Sequence, residues 1–264
     1  MGCWLKNSLL YKLFKSIIII FIIMLIFSDT NDETTKYVFI HILRCSGRYI
    51  RKQIYNKFKT YFVFPEMVTN PDANPVSSKS ETDTQYIMHE RYLKYKSYNL
   101  GQTKFITFVR NPYDRLISSY YYYLLGIYYD DSSNKNDFLE FLITPFQTLK
   151  TKTMDELMNN FKADFKKYIK KEVENLNEDF NYVLCLQCKF LVDENNQIPE
   201  DISIYKLEEY TPESEAGKFF QFDNFNLKVY DYMEYFDNET LEIVNRKYSM
   251  DFELLGYKKL EYIN

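Results

Sequence analysis

Histidine and cysteine are scarce in this chain: two histidines, His41 and His89, and four cysteines, Cys3, Cys45, Cys185 and Cys188. A four-ligand zinc site is arithmetically possible from that set. The residues show no recognised ligand spacing, however, and no metal is expected. A basic excess is lacking too. The formal net charge is −4, and Lys6, Lys12 and Lys15 all precede the first acidic residue, Asp29, so the remainder is more acidic still. Nucleic acid is therefore not an expected partner. An enzyme acting on a polyanionic sugar would need local basic patches on this acidic background. There are only 6 glycines, no Gly-Lys-Ser/Thr phosphate loop, no internal repeat and no obvious second domain. The 264 residues suffice for one sizeable core with an appended anchor. Tyrosine, in contrast, is plentiful at 26 residues, so no tyrosine is read as functional on abundance alone.

The longest uninterrupted apolar run, Ile17 to Phe27, has 11 residues, a length that suits a signal-peptide core as well as a short anchor. Ser28-Asp29-Thr30 offers no small-residue cleavage site. If Lys12 and Lys15 reach out to the interface, residues 9–27 span roughly 28 Å, close to the thickness of a bilayer core. The lysines lie N-terminal to the run, which predicts a cytosolic N-terminus and a lumenal body. The expected organisation is a cytoplasmic tail (1–8), a transmembrane signal anchor (9–27), a stem (28–35) and a lumenal domain (36–264). In an oxidising lumen Cys185 and Cys188 would form a short-loop disulfide or, equally, be two buried thiols on a strand. Asn238-Glu239-Thr240 would be a glycan acceptor.

Within the body, "KYVFIHI" (36–42) has the short β-branched and aromatic content of a buried strand, and "RYIRKQIYNKF" (48–58) has helical spacing. "TQYIM" (84–88) predicts a second strand, "KFITFV" (104–109) a third and "ISIYKL" (202–207) a late one. Helices are expected over 136–142, 154–176 and 238–257, the last ending near Gly256. The alternation of strand, loop and helix argues for an α/β fold with a parallel sheet.

Two loops stand at the carboxyl ends of predicted strands, where helix N-termini favour anions. In "IHILRCSGRYI" (40–50), Arg44 and Arg48 flank Cys45-Ser46-Gly47, and the backbone here can turn closely around a phosphate. In "FVRNPYDRLISSYYYYL" (108–124), Arg110 ends a strand, Asn111 is a good N-cap, Pro112 suits the first turn and Asp114 favours the dipole. Ser118 lies eight residues on. A planar guanidinium binds phosphate bidentately, and a hydroxyl adds a donor. Leu116, Tyr120 and Tyr123 follow i, i+4, i+7 spacing, so much of the tyrosine run reads as core.

The second loop resembles the 3′-phosphate motif, Arg-[Asn/Asp]-Pro-x-x-Arg-Leu-x-Ser, of the Golgi sulfotransferases that use 3′-phosphoadenylyl sulfate. The tyrosine run after Ser118 is similar to that of the glycosaminoglycan 2-O-sulfotransferases. The first loop resembles the Lys-Cys-Gly-Ser-Arg pattern of the uronyl type. "HERYL" (89–93) and "DFELLGY" (251–257) resemble further segments of the family. This resemblance implies a P-loop-NTPase-like, three-layer sulfotransferase fold with a central parallel sheet. It implies 3′-phosphoadenylyl sulfate as donor, a glycosaminoglycan or other glycan as acceptor, and a type II Golgi membrane protein. By the same resemblance Arg44, Cys45, Ser46, Gly47, Arg48 and Tyr49 would hold the 5′-phosphosulfate, and Arg110 and Ser118 the 3′-phosphate. His89 would be the catalytic base, assisted by Arg44, and Arg91 would meet an acidic group of the acceptor. His41, inside an apolar strand, reads as structural. Two departures stand out: Arg44 replaces the usual lysine, and the Gly-Ser order is inverted to Ser46-Gly47. Lys162, Lys166, Lys167, Lys170 and Lys171 would form either a basic patch or a solvated helix face. A non-catalytic glycan-binding relative and a nucleotide phosphotransferase are the alternative functions. Oligomeric state is not readable.

Overall fold

A computed structural model describes residues 24–28, 34–63, 91–97, 103–129, 160–176, 183–223, 225 and 231–261. Strands β1 (Met24–Ser28), β2 (Lys36–Ile40), β3 (Lys59–Val63), β4 (Thr103–Val109) and β5 (Ile202–Lys206) form one sheet in the order β3-β1-β2-β4-β5. Strands β2, β4 and β5 run parallel, with Ile40 opposite Thr107 and Val109 opposite Lys206. The described helices are α1 (Gly47–Lys57), α2 (Tyr92–Lys96), α3 (Pro112–Tyr129), α4 (Phe161–Tyr168), α5 (Glu215–Phe220), α6 (Asn238–Lys247) and α7 (Ser249–Leu254). The α/β class and three expected strands are present. The strand expected over 84–88 and the helix over 136–142 lie outside the described residues.

The sheet is mixed rather than parallel, because β1 is antiparallel to both of its neighbours. This strand corrects the expected anchor boundary. Met24–Phe27, read as the end of a membrane span, lie inside the sheet, with Leu25, Ile26 and Phe27 buried. The Phe27 ring packs on Tyr37, Phe58, Phe219 and Phe220 at centroid distances of 5.1 to 6.4 Å. A strand with neighbours on both edges and side chains covered on both faces reads as a continuous apolar run. Hydropathy alone does not separate it from a lipid-facing segment. Among the described residues no helix is long and apolar enough to cross a membrane, and residues 9–23 lie outside them.

Two cores form. One gathers the strands with α1, α2 and α5, through residues such as Val38, Ile50, Ile54, Tyr95, Phe108 and Phe220. The other packs α3, α4, α6 and α7 through Leu116, Tyr120, Phe165, Val244 and Phe252. Helix α6 starts with a reciprocal cap: the Thr240 amide donates to the Asp237 carboxylate at 2.9 Å, and the Asp237 amide donates to the Thr240 hydroxyl at 2.9 Å. The exposed Asn238 of the predicted glycan acceptor is thus the first residue of a helix whose Thr240 is buried in the cap. The C-terminal helix ends at Gly256, whose φ of 65° suits glycine.

Two outcomes follow. Phe27→Ala is expected to lower the unfolding free energy by about 3–4 kcal/mol in denaturant titration, because it empties a closed aromatic site; a Phe27 in lipid would leave the titration unchanged. For Asp237, partial burial pushes the carboxyl up, but the Thr240 amide and hydroxyl and Lys166 outweigh it and bring the pKa to about 2. Its folded pKa lies below the unfolded one, so its contribution is present above the ordinary aspartate range and is lost as pH falls toward 2. Asp237→Ala should cost about 1 kcal/mol near neutrality, with the gap in melting temperature closing between pH 5 and the acid limit.

Candidate active site

The loop after β2 and the helix after β4 stand side by side because β2 and β4 are hydrogen-bonded parallel neighbours. Arg44, from the first loop, donates from Nη2 to the Ser118 hydroxyl of α3 at 2.9 Å. Its guanidinium carbon also lies 4.5 Å from the Tyr122 ring centre. The two expected anion sites therefore meet at one end of the sheet.

The backbone of the first loop turns tightly. Arg44 and Ser46 have positive φ, 68° and 56°, the Cys45 amide donates to the Ile42 carbonyl at 3.3 Å, and α1 starts right-handed at Gly47. Ser46 is the N-cap of α1 but makes no side-chain cap bond, and the first turn holds no acid. The first amides and positive dipole end of α1 thus meet neither a capping side chain from Ser46 nor an acid of the first turn. Gly47 is required at its position: a Cβ there would lie 1.8 Å from the His41 ring. This explains the inverted Ser-Gly order. Glycine sits where the buried His41 imidazole leaves no room, and serine takes the left-handed conformation one residue earlier. His41 is 7% exposed and stacks on Phe39 with centroids 5.9 Å apart, as a structural residue should.

The N-terminus of α3 is arranged differently. Asn111 caps it, accepting the Tyr113 amide at 3.0 Å, and Glu208 accepts the Asn111 amide at 2.5 Å. Burial raises the Glu208 carboxyl, with Asp114 adding to the rise, against the opposing effect of its hydrogen bonds from the Asn111 amide and Tyr257. Arg110 is 4% exposed, and its Nε donates to the buried Asp114 carboxylate at 2.6 Å. This helix offers an oriented guanidinium and a hydroxyl, while Asn111 and Glu208 take the Tyr113 and Asn111 amides.

Not every expected residue faces the loop cradle. The Cys45 thiol is buried, donates to the Gln187 side chain at 3.1 Å and is pushed up to about 12 by burial, so it is inert. Tyr49 turns its ring onto Phe222 and Phe225 and its hydroxyl to the Asp223 carbonyl. At these two positions the side chains serve packing. Arg48 is exposed; burial, with the Arg48 charge adding to it, lowers the Arg51 pKa to about 10. Arg91 is half-buried at the N-cap of α2, with its carbonyl accepting the Lys94 and Tyr95 amides. Helix α2 is seated by Tyr92, whose ring packs on Phe105 at 4.9 Å. His89 lies outside the described residues. Of the tyrosine run, Tyr120 is buried among Phe161, Phe165 and Tyr168, as the spacing predicts.

Two open readings are resolved. Cys185 and Cys188 form no disulfide; they are the free buried thiols of the second reading, at a bend and on a short 3-10 helix rather than on a strand. The lysines of 161–171 are partnered: Lys162 with Glu234, Lys166 with Asp237, Lys167 with Asp164, Lys170 with Glu239 and Lys171 with Glu172. Acidic residues, several of them from the 234–239 segment, neutralise this face, so it is not a free basic patch.

Arg115 and Gln187 brace the candidate site and were not singled out from the sequence. Arg115 is 1% exposed and donates from Nε to the Leu43 carbonyl at 3.0 Å, from Nη1 to Cys185 at 2.9 Å and from Nη2 to Val183 at 3.1 Å. Gln187 accepts the Arg110 amide at 2.9 Å and donates to the Arg110 carbonyl at 2.8 Å. Asp251 holds the Gln187 and Cys188 amides at 3.0 and 2.8 Å. Arg115 is the second arginine of the motif around Arg110, which is a usable signal; Gln187 carries none.

Gly47→Ala is expected to destabilise the fold by about 1–3 kcal/mol through the clash with His41. In a His41→Ala background the same change should cost at least about 1 kcal/mol less. A denaturant double-mutant cycle measures this coupling; additive effects would mean that His41 does not dictate glycine here.

With this geometry in place, the comparison with known proteins can be read. No curated protein and no solved structure shows a significant match to the chain. A family description, that of the sulfotransferase family, matches residues 30–258, a stretch holding both loops, Arg115, Gln187 and Asp251, and on that match the chain belongs to the sulfotransferase family.

Proposed function

We propose that this protein moves the sulfuryl group of 3′-phosphoadenylyl sulfate to a hydroxyl of a glycan. The observation that carries the proposal is the 2.9 Å hydrogen bond from Arg44 to Ser118, which joins the loop after β2 to the helix after β4. A nucleotide with anionic groups at both ends of its ribose can bridge two such neighbouring sites. The uncapped N-terminus of α1 suits the 5′-phosphosulfate, and Arg110 with Ser118 suits the 3′-phosphate. Asp114 fixes the Arg110 side chain through Nε.

In the reaction the acceptor oxygen bonds to sulfur as the bond from sulfur to the bridging oxygen breaks, and adenosine 3′,5′-bisphosphate leaves. Positioning and charge neutralisation dominate such transfers. Arg44 and the α1 amides would stabilise the charge growing on the bridging oxygen. The acceptor proton would pass to His89, an assignment that rests on the family resemblance. The 2-O position of a uronic acid in a glycosaminoglycan is the acceptor that the motif sequences favour. The lysines of 161–171 are already paired, and Arg91 is the arginine proposed to meet the acidic groups of the acceptor. The apolar segment before β1 supports placement on the lumenal side of a Golgi membrane.

The test uses the full-length chain, because a body cut at residue 29 would lack β1. It is incubated with sulfur-labelled donor and a panel of desulfated glycosaminoglycans, and label should pass to one of them. Arg110→Ala should weaken binding of adenosine 3′,5′-bisphosphate by about 2–4 kcal/mol in calorimetry. His89→Ala should abolish transfer with that binding retained. Glycan binding without any transfer would favour a non-catalytic relative, and tight ATP binding without bisphosphate binding would sink the proposal.

A further inference from the structure

We infer that Tyr122 is a positioning residue for Arg44, and that its ring is the feature that lets arginine work at this place in the first loop. The inference rests on the reading of that loop as the donor site.

Ser118 and Tyr122 are four residues apart on α3, so they share one face of the helix. Arg44 meets both: Nη2 on the Ser118 hydroxyl at 2.9 Å, and the guanidinium carbon 4.5 Å from the Tyr122 ring centre. The neighbouring tyrosines are used otherwise. Tyr120 packs on Phe161, Phe165 and Tyr168, and Tyr121 packs on Phe161 at 4.6 Å. Tyr122 thus turns out of the core and toward the loop.

The chemistry follows from the shape of the cation. A guanidinium is flat, delocalised and weakly hydrated, and it stacks on an aromatic face, whereas an ammonium is a compact, strongly hydrated point charge. A long arginine on a loop would otherwise sample many rotamers, and a loop residue at φ 68° has its Cα–Cβ direction set by that unusual backbone. The ring against its face and the hydroxyl at Nη2 together restrict the plane that the guanidinium occupies. Tyr122 touches no reacting atom in this arrangement and acts through Arg44.

The experiment compares full-length wild type, Tyr122→Leu and Tyr122→Phe. Three quantities are measured: the rate at which phenylglyoxal modifies Arg44, followed by peptide mass spectrometry; the affinity for adenosine 3′,5′-bisphosphate; and kcat and donor KM for transfer. Tyr122→Leu should speed Arg44 modification and lower kcat by about tenfold each, with a small change in melting temperature, and Tyr122→Phe should restore both. Arg44→Lys should lose activity by the same factor in wild type and in Tyr122→Leu only if the ring is irrelevant, so equal losses overturn the inference. An unchanged Arg44 modification rate in Tyr122→Leu, or a Tyr122→Phe variant as impaired as Tyr122→Leu, overturns it as well. If wild type neither binds bisphosphate nor transfers sulfate, the donor-site reading fails by itself, and the modification rates still decide whether the ring holds Arg44.

Discussion

The guanidinium of Arg115 is the buried charge around which both loops are assembled. It sits almost wholly out of water, and each of its three nitrogens donates to a different main-chain carbonyl: Leu43 in the first loop, and Val183 and Cys185 in the segment beyond α4. A buried cation is costly unless its donors are satisfied and a counter-charge is near. Asp251 supplies that charge. Burial pushes the Asp251 carboxyl above its ordinary range, and Arg115 and the amides of Cys188 and Gln187 draw it back. Gln187 then passes the arrangement on to the end of β4 by bonding both main-chain groups of Arg110, while also accepting the Cys45 thiol. One hydrogen-bonded node thus reaches the β2 loop, the end of β4, the 183–188 segment and α7. A site so held has little freedom to rearrange, the condition under which fixed dipoles stabilise a charged transition state.

That node supports an asymmetry between the two helix N-termini. Helix α1 begins without a side-chain cap or an acid in its first turn. Helix α3 begins with Asn111, Glu208 and Asp114 already on its amides or its arginine. If both ends were open, two strong anion sites would compete for either end of a ligand. In the proposed reading, one site would work through main-chain amides and the other through side chains. The lysines of 161–171 spend their charge on neighbouring carboxylates, so in the proposed reading the arginines of the loop supply the positive chemistry on an acidic chain.

Much of this frame could be read from the residues. β2, β4 and β5 are short apolar runs rich in β-branched and aromatic side chains, and each lies within two residues of its expected bounds. The start of α3 at Pro112 followed from Asn111 and the fixed proline φ. Strand β1 was misread because burial between two strands and burial in lipid select the same side chains. β3 escaped notice because Lys59–Val63 directly follows α1 with no turn residue to separate them. Gln187 was invisible, since its role depends on partners 77 and 142 residues distant in sequence. Tyr122 was lost among identical neighbours, because a helical spacing identifies the buried stripe and says nothing of which outward residue meets a loop.

The inverted Ser46-Gly47 pair shows how sequence departures can be compensated by position. A non-glycine residue in the left-handed region costs about 1–2 kcal/mol, and the first loop holds two, Arg44 and Ser46. A glycine at 46 would remove one of these penalties, yet the chain's glycine is spent one residue later, where the His41 ring would strike any Cβ. Strain of this size persists only where the surroundings over-determine the backbone. Here Arg115 grips Leu43 on one side, Gln187 takes the Cys45 thiol in the middle, and the first turn of α1 closes from Ile50 to Ser46 at 3.0 Å on the other. The conformation of the loop is therefore a property of the whole node.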